Sequence, residues 1–523
     1  MTVPAVLLVL ALAALVAVRL RTLLTYFQQE EYNSARFKGA VFRVRLYDVM
    51  ASAVLAVAGL LASLGGWILV LAALALAGLA WREHGYRYKK PLVMTERARR
   101  LYALSLALAA LPTLLVALSP FWGIAVVQAL PLALMGANAL LAPLQESINR
   151  AFIKSARAKL ARMNPVCIGI TGSFGKTTVK HILAEMLETS GPVFYSRGSI
   201  NTELGLTRHI RQRLQWAHRY FIAEMGAYGI GSIKRLCRFA QPTYGIVTAV
   251  GDAHTERFGS IENIAIAKCE LPQAVVDKGG LAVIAYQVMA FAPFQRIRAA
   301  YPDQIVTVGR EPEADVVIER AGLIDGVWEI ALHDPKGPVE RLTFQLPLLG
   351  EHNIVNSALA ATLALRIDPG IAARLPLVSK DVEQIPHRLQ KRETRGQALV
   401  LDDAFNSNEG GFRNAVDVLT DLARARGGRA ILVTPGIAEL GIEHDRVHQS
   451  LGAYCNTRCD EVHVVNPSRI PTFVAGLDPE ALTVHEAATL AEARRHLAGG
   501  TRPEDVVLYE NDLPDLLEET RLL

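Results

Sequence analysis

Three long stretches without a charged side chain constrain this chain more than any other feature. Residues 2–18 are almost wholly apolar and end at Arg19, residues 49–81 run 33 positions without a charge, and residues 101–145 run 45. A bilayer core of about 30 Å takes about 20 helical residues. At about 1.5 Å per residue the second stretch would reach about 50 Å and the third about 68 Å. Each is too long for one upright span, and Gly65–Gly66 and Ser119–Pro120 are the natural turning points. The same lengths speak against core helices of a water-soluble domain. A cleaved signal peptide over residues 1–18 fits poorly, because no basic segment precedes the apolar run and no clear small-x-small cleavage site follows it.

Charge sets the expected topology. The loops at 19–48 and 82–100 carry six and seven Lys/Arg, and both are expected to face the cytoplasm. The stretch between them is then a tight hairpin whose halves are short for full spans, with a re-entrant pair as the alternative, and the third stretch gives two more crossings. The expectation is a multi-pass membrane region of about five spans over residues 1–146, set in the cell (inner) membrane, with the rest of the chain cytoplasmic. Residues 1–150 carry a net charge of +8 and the remainder −3, within a total of +5. A nucleic-acid binder would carry its basic residues on the folded body, so the expected partner is membrane lipid and not nucleic acid. A chain that is 51% hydrophobic is not disordered. Five cysteines, an odd and sparse set, point to a reducing compartment. Cys455 and Cys459 lie four apart, but no second pair completes a zinc site.

The remainder reads as α/β. Val166–Ile170 is a short apolar run with the character of a buried strand, Thr171-Gly-Ser-Phe-Gly-Lys-Thr-Thr178 is a glycine-rich loop, and Val179–Leu187 has helical spacing. That is the context of a phosphate-binding loop. Backbone N–H groups and the helix N-terminus would face the phosphate charge across Thr171, Gly172, Ser173, Gly175 and Thr178. Lys176 would reach the terminal phosphates of ATP, and the Thr177 hydroxyl would ligate Mg²⁺. The spacing departs from the general form, since Ile170 stands where the first glycine would be. The expected organisation is a P-loop ATP-binding domain over 147–382, opened by a short basic helix Ser147–Arg162. A small Rossmann-like domain follows over 383–523, with strands at Ala398–Leu401, Ala430–Val433, Glu461–Val465 and Val506–Leu508.

The loop resembles the ATP loop of the Mur ligase family, whose members build amide bonds in cell-wall precursors. Further segments resemble family marks in the same order: Asn201-Thr-Glu-Leu-Gly205, Glu224-Met-Gly226, Asp252-Ala-His254, Phe258-Gly-Ser260, Ala267-Lys-Cys-Glu270, Gly350-Glu-His-Asn-Ile-Val-Asn356, Pro386-His-Arg-Leu389, Asp402-Asp-Ala-Phe-Asn-Ser-Asn408 and Glu439-Leu-Gly441. The resemblance covers roughly residues 160–523. It is closest to the branch that adds D-alanyl-D-alanine to a muramoyl tripeptide, with a membrane region in place of that branch's UDP-sugar domain.

The resemblance implies a membrane-anchored ligase that forms a carbon–nitrogen bond from ATP, through an acyl-phosphate, releasing ADP and phosphate. Its implied substrates are an amino acid or dipeptide and a muramoyl-peptide-like acceptor, here expected to be lipid-linked. Lys176, Lys268 and His254 would act in catalysis. Thr177, Glu224, His254 and a carbamylated Lys268 would hold Mg²⁺. Asn353, Asn356, Arg388, Asp402 and Asp403 would complete the ATP site, and Asn201, Asn406 and Asn408 would meet substrate. Bland alternatives are a helix N-cap for Asn353, a strand-end turn for Asp402–Asp403 and an ordinary helix lysine for Lys268, on a helix expected over Ile261–Val276. Ala404, Phe405 and Glu409 depart from the family pattern, and Ala282–Tyr286 replaces an Asn-x-Asp-Asp run. Two other functions remain open: a capsule or poly-γ-glutamate-type peptide synthetase, and a P-loop ATPase coupled to the membrane region. The acceptor, the amine and the oligomeric state are not legible.

Overall fold

The computed structural model describes residues 2–43, 47–86, 88, 90–251, 258–324, 327–405, 407–438 and 440–512. The chain divides after residue 149 into two compact units.

The first unit is helical. Its helices run Val3–Gln29, Ser34–Arg43, Val49–Leu61, Trp67–His84 and Glu96–Leu114, followed by Phe121–Met163, which continues past the division. Four of them are long and apolar enough to cross a membrane, by length and composition, and Val49–Leu61 is shorter. The chain turns at Gly65, whose φ of 138° suits glycine alone, and again at Pro120. Two expectations need correction. The basic segment 19–48 is not a loop: the first helix carries Arg19 and Arg21 and runs on to Gln29, and a second helix follows. The basic segment Ser147–Arg162 is not a separate helix but the end of the 43-residue helix Phe121–Met163. Pro131 and Pro143 lie inside that helix without ending it.

Among the described residues of this unit, three charged side chains are buried. Arg19 pairs with Asp48 and with Glu83, each at 2.7 Å, and all three side chains are about 5% exposed or less. Asp48 also caps the helix Val49–Leu61 by accepting from the Ala51 N–H at 2.9 Å, while Thr22 donates to Glu83. Many outward-facing positions are apolar instead, with Trp81 82% and Leu118 79% exposed.

The second unit holds two sheets. The larger comprises β1 (Val166–Thr171), β2 (Val193–Tyr195), β3 (Tyr220–Glu224), β4 (Tyr244–Val247), β5 (Leu281–Ala285), β6 (Ile305–Gly309), β7 (Val316–Ile324), β8 (Val327–His333) and β9 (Arg341–Leu346). Their spatial order is β2-β3-β1-β4-β5-β6-β7-β8-β9, parallel up to β7 and antiparallel beyond it. Strands β1, β3, β4 and β5 are near-continuous apolar runs because helices cover both faces of a parallel sheet. After β1 the chain builds β2 and β3 on one side, then crosses to β4 on the other. The loops leaving β1, β3 and β4 therefore open at one switch point at the strands' carboxyl ends, where α/β sites form.

The smaller sheet comprises β10 (Gln390–Arg392), β11 (Leu399–Asp403), β12 (Ala430–Thr434), β13 (Glu461–Val465), β14 (Thr483–Ala487) and β15 (Val506–Glu510), in the order β10-β11-β15-β12-β13-β14. Only β10 is antiparallel. The pairing of β11 with β15 sets Asp403 beside Glu510.

Candidate active site

The loop after β1 is held tightly from below. Ser173 N–H donates to the Ala249 carbonyl at 2.9 Å, and the Ser173 hydroxyl bonds both Gly251 backbone groups. A Cβ on Gly172 would meet Thr248 Oγ1 at 1.9 Å. Gly175 has φ of 80°, and a Cβ there would meet Asn356 Oδ1 at 2.5 Å. Both glycines are required by close approach. The helix Lys176–Glu188 starts directly behind them, so its free N–H groups open into the loop. Thr171 ends β1 and donates to the Met225 carbonyl, and Thr178 is buried in the helix's first turn. Lys176 folds back on the Gly172 carbonyl at 2.8 Å. Burial pulls its pKa below the ordinary lysine value, with the Glu224 charge opposing.

Glu224 is the focus of the site. It ends β3, opposite Ile170 of β1, and is 1% exposed. Its Oε2 accepts from Thr177 Oγ1 at 3.1 Å and from Lys180 Nζ at 2.9 Å, and its Oε1 accepts from Asn201 Nδ2 at 3.4 Å. Tyr228 donates in turn to Asn201 Oδ1 at 3.2 Å, fixing that amide. Lys180 is missing from the sequence reading. Its signal was its place one helical turn after Lys176, on the same helix face. Lys268 is 4% exposed on the helix Ile261–Val276, which Ser260 caps. Burial holds its pKa well below the ordinary lysine value, and the Lys176 charge adds to the shift. His254, Asn406 and Glu439 lie outside the described residues.

The smaller sheet's domain supplies the facing wall. Arg388, Ser407 and Asn408 line a small cavity of about 110 Å³ together with Lys176, Thr177 and Glu224. Arg388 stacks over the Phe405 ring at 4.5 Å. A neighbouring cavity of about 370 Å³ is lined by Gly175, Asn353, Asn356, Arg388, Asp403 and Glu510, among others. Asn353 does not cap its helix, because that helix begins at His352; its amide donates to the Leu349 carbonyl and its Oδ1 accepts from Asn356. Asn408 does cap one, accepting from Gly411 N–H at 2.9 Å. The paired aspartates part company. Asp402 is taken up by His387 at 3.0 Å and Arg392 at 2.5 Å and lines neither cavity, while Asp403 accepts from the Leu389 N–H at 3.1 Å and faces the larger one. Burial and the neighbouring Asp403 push the Glu510 carboxyl well above its ordinary pKa. Glu510 belongs to no motif and reaches the site only through the β11–β15 pairing. His387 and Leu389, on either side of Arg388, both have left-handed backbones, with φ of 59° and 46°.

Residues 170–364 match the Mur ligase middle domain, and residues 387–509 match the Mur ligase glutamate ligase domain, together more than half of the chain. The UDP-N-acetylmuramoyl-tripeptide--D-alanyl-D-alanine ligase of Mycobacterium tuberculosis is 32% identical over 344 residues, covering 64% of this chain and 63% of that protein. The ligase of the same description from Haemophilus influenzae is 28% identical, covering 67% of this chain and 72% of that one. Among solved structures, MurF ligase from Thermotoga maritima in complex with ADP superposes with a TM-score of 0.60 at 25% identity, covering 70% of this chain and 80% of that one. The chain spans about three fifths of the length of the curated relatives from Mycobacterium that it matches.

Proposed function

This chain belongs to the Mur ligase family, and from that premise we propose that it is an ATP-dependent amide ligase that joins a D-alanyl-D-alanine-like dipeptide to a muramoyl-peptide acceptor. The observation that carries the reading is the convergence of Thr177, Lys180 and Asn201 on Glu224 beneath the glycine-rich loop, with Arg388 and Asn408 facing the same cavity.

In this reading the loop Thr171–Lys176 is a P-loop and the smaller sheet is a Rossmann-like closing domain. The acceptor's carboxylate takes the γ-phosphoryl group of ATP, ADP leaves, and the dipeptide amine displaces phosphate from the acyl-phosphate. Both early reactants are anions, so cationic and N–H groups must be gathered in advance. Lys176, Arg388 and the helix N-terminus at Lys176 supply them. Asn353 and Asn356 border the adenine, Asp403 the ribose, and Asn201 and Asn408 the substrates. Asp402, engaged by His387 and Arg392, supports the wall from behind.

The donors around Glu224 fit Mg²⁺. The Thr177 hydroxyl and the Glu224 carboxylate are hard oxygen ligands, and Ser199 Oγ lies 3.3 Å from the former. His254 is assigned to the same set. Mg²⁺ held by these residues would supply positive charge to offset the phosphate and carboxylate anions. Lys180 holds Glu224 in place and neutralises it in the absence of the ion. Lys268 is assigned as carbamylated. Burial favours its neutral, nucleophilic amine over the cation, and carbamylation would turn that amine into a metal-ligating anion.

The apolar helices anchor the enzyme in the cell membrane with its α/β unit on the cytoplasmic side, and the acceptor is lipid-linked. The four helices of spanning length support the anchor. A cavity of about 760 Å³ with Arg150, Lys154, Arg157 and Lys278 on its walls, mixed with apolar side chains, supports an anionic, partly apolar acceptor. The test is ADP release by the full chain in detergent, with D-alanyl-D-alanine and either a UDP-linked or a lipid-linked muramoyl tripeptide. Release that needs both amine and acceptor is expected, faster with the lipid-linked form. Release indifferent to the amine overturns the ligase in favour of an ATPase. Equal use of both acceptors by a chain starting near Ser147 overturns the lipid-linked assignment.

A further inference from the structure

The far edge of the smaller sheet carries a second cluster with chemistry of its own. Strands β13 and β14 run parallel, and His463 and His485 are direct partners in their register. Glu461 stands two residues before His463 and so projects from the same face of the sheet. Both imidazoles aim at one carboxylate oxygen: Glu461 Oε1 is 2.8 Å from His463 Nε2 and 3.4 Å from His485 Nε2. One ligand atom from each of the three residues lies within 4.8 Å of the others. The ring of His496, on the helix Leu490–Leu497, lies 6.4 Å and 6.5 Å from the other two ring centres.

The carboxylate is held for this task from outside. Glu461 Oε2 accepts from Arg429 Nη1 at 2.8 Å, and Arg429 is itself fixed on Asp505 at 2.7 Å. Only Oε1 is left facing the imidazoles. Second-sphere anchoring of this kind orients metal ligands. His463 is 1% exposed, and a metal would take the place of the proton that its Nε2 donates to Glu461 Oε1. His485 is 43% exposed, which leaves an entry path.

We propose that Glu461, His463 and His485, with His496 within reach as a fourth ligand, form a binding site for a zinc-type divalent transition metal, separate from the Mg²⁺ chemistry of the ATP site. Ligand bonds of about 2.1 Å in tetrahedral geometry set ligand atoms roughly 3.4 Å apart. The Glu461–His485 separation already meets that spacing, and the Glu461–His463 pair reaches it with a small rotation of the imidazole. Imidazole donors select Zn²⁺, Co²⁺ or Ni²⁺ over Mg²⁺, which prefers oxygen. The bound ion would tie the edge strand β14 and the helix Leu490–Leu497 to β13, a clasp on the outer side of the sheet.

The experiment uses the full chain in detergent, stripped with chelator and kept in excess Mg²⁺ so that oxygen sites are saturated. Zn²⁺ is titrated against a chromophoric competitor, and Co²⁺ is followed by its visible absorption. One equivalent bound per chain is expected, with a four-coordinate Co²⁺ spectrum. His485→Ala and, separately, Glu461→Gln should each weaken Zn²⁺ binding at least about tenfold. Circular dichroism verifies that both variants fold; His485 is half-exposed, so its removal leaves the core intact. Absence of a stoichiometric site, or the same affinity in both variants as in the parent, overturns the proposal.

Discussion

The two units bury charge for opposite reasons. In the α/β unit the interior is apolar, with Ile168, Ile170, Leu183 and Phe221 fully buried, and many of its buried charges gather at strand ends around Glu224 and Glu510. The hydrophobic effect builds that unit, and buried charge marks where chemistry is done. In the helical unit much of the exterior is apolar, and the buried Arg19, Asp48 and Glu83 sit far from any motif. In the proposed membrane setting, hiding apolar surface from lipid tails gains nothing, so polar contacts and close packing must select the helices' neighbours. One arginine joins the first helix, the start of the third and the end of the fourth. On the proposed function, similar ion pairs thus tune reactivity in one unit and select helix packing in the other.

That contrast is broken most severely through Lys176. Lys176→Ala should lower ATP-dependent turnover by about 10³-fold, the scale of losing a preorganised charge at a transition state, while thermal unfolding of the purified protein stays unchanged. A large loss of stability instead would make Lys176 a packing residue. The helical unit should answer in the opposite currency. Arg19→Leu strands two buried carboxylates and should cost about 3–5 kcal/mol in detergent unfolding, whereas replacing Arg19, Asp48 and Glu83 together by apolar residues should cost far less. If the single substitution is as mild as the triple one, the triad does not select the packing.

Two smaller tests sharpen the picture within the α/β unit. Glu224→Gln removes a ligand and the partner of Lys180, and should raise the Mg²⁺ concentration for half-maximal activity by about 10–100-fold. An unchanged magnesium dependence would remove Glu224 from the metal set. The smallest effect concerns pH. Glu510 binds its proton more tightly folded than unfolded, so the folded state holds more protons and stability falls as pH rises above about 4.5, the ordinary carboxyl value, towards the raised one. Glu510→Gln, which imitates the protonated acid, should flatten that decline in denaturant titrations run at several pH values. An identical slope in parent and variant would mean that Glu510 ionises as if exposed.

Legibility followed how local each signal is. The helix Ile261–Val276 and the strand Glu461–Val465 run over the residues that the sequence alone marks, because a Ser260 cap opens one and the other is an apolar run between breaks. The hairpin turn at Gly65 and the fold-back at Pro120 were legible for the same reason. Segments 19–48 and 147–162 were misread because charge was taken as the end of a helix; inside a bundle, Arg19 finds Asp48 and Glu83 and the helix simply continues. The antiparallel extension β8–β9 carries no motif and was not foreseen. Within the site, Lys180 lay one turn from a marked residue and was readable in principle. Glu510 was not, since only the sheet order brings it beside Asp403. The separation of Asp402 from Asp403 follows from strand alternation, which sends neighbouring side chains to opposite faces.

The backbone around Arg388 has a mechanical meaning. Left-handed conformations at His387 and Leu389, neither of them glycine, cost of order 1–3 kcal/mol each. They sit where the chain passes from the last helices of the larger sheet's domain into β10. The connection is therefore held in its bent course by the packing around it, and the three residues also carry the arginine that lines the cavity. Two left-handed turns on either side of Arg388 fix the path of the chain at the point where that arginine enters the cavity lining.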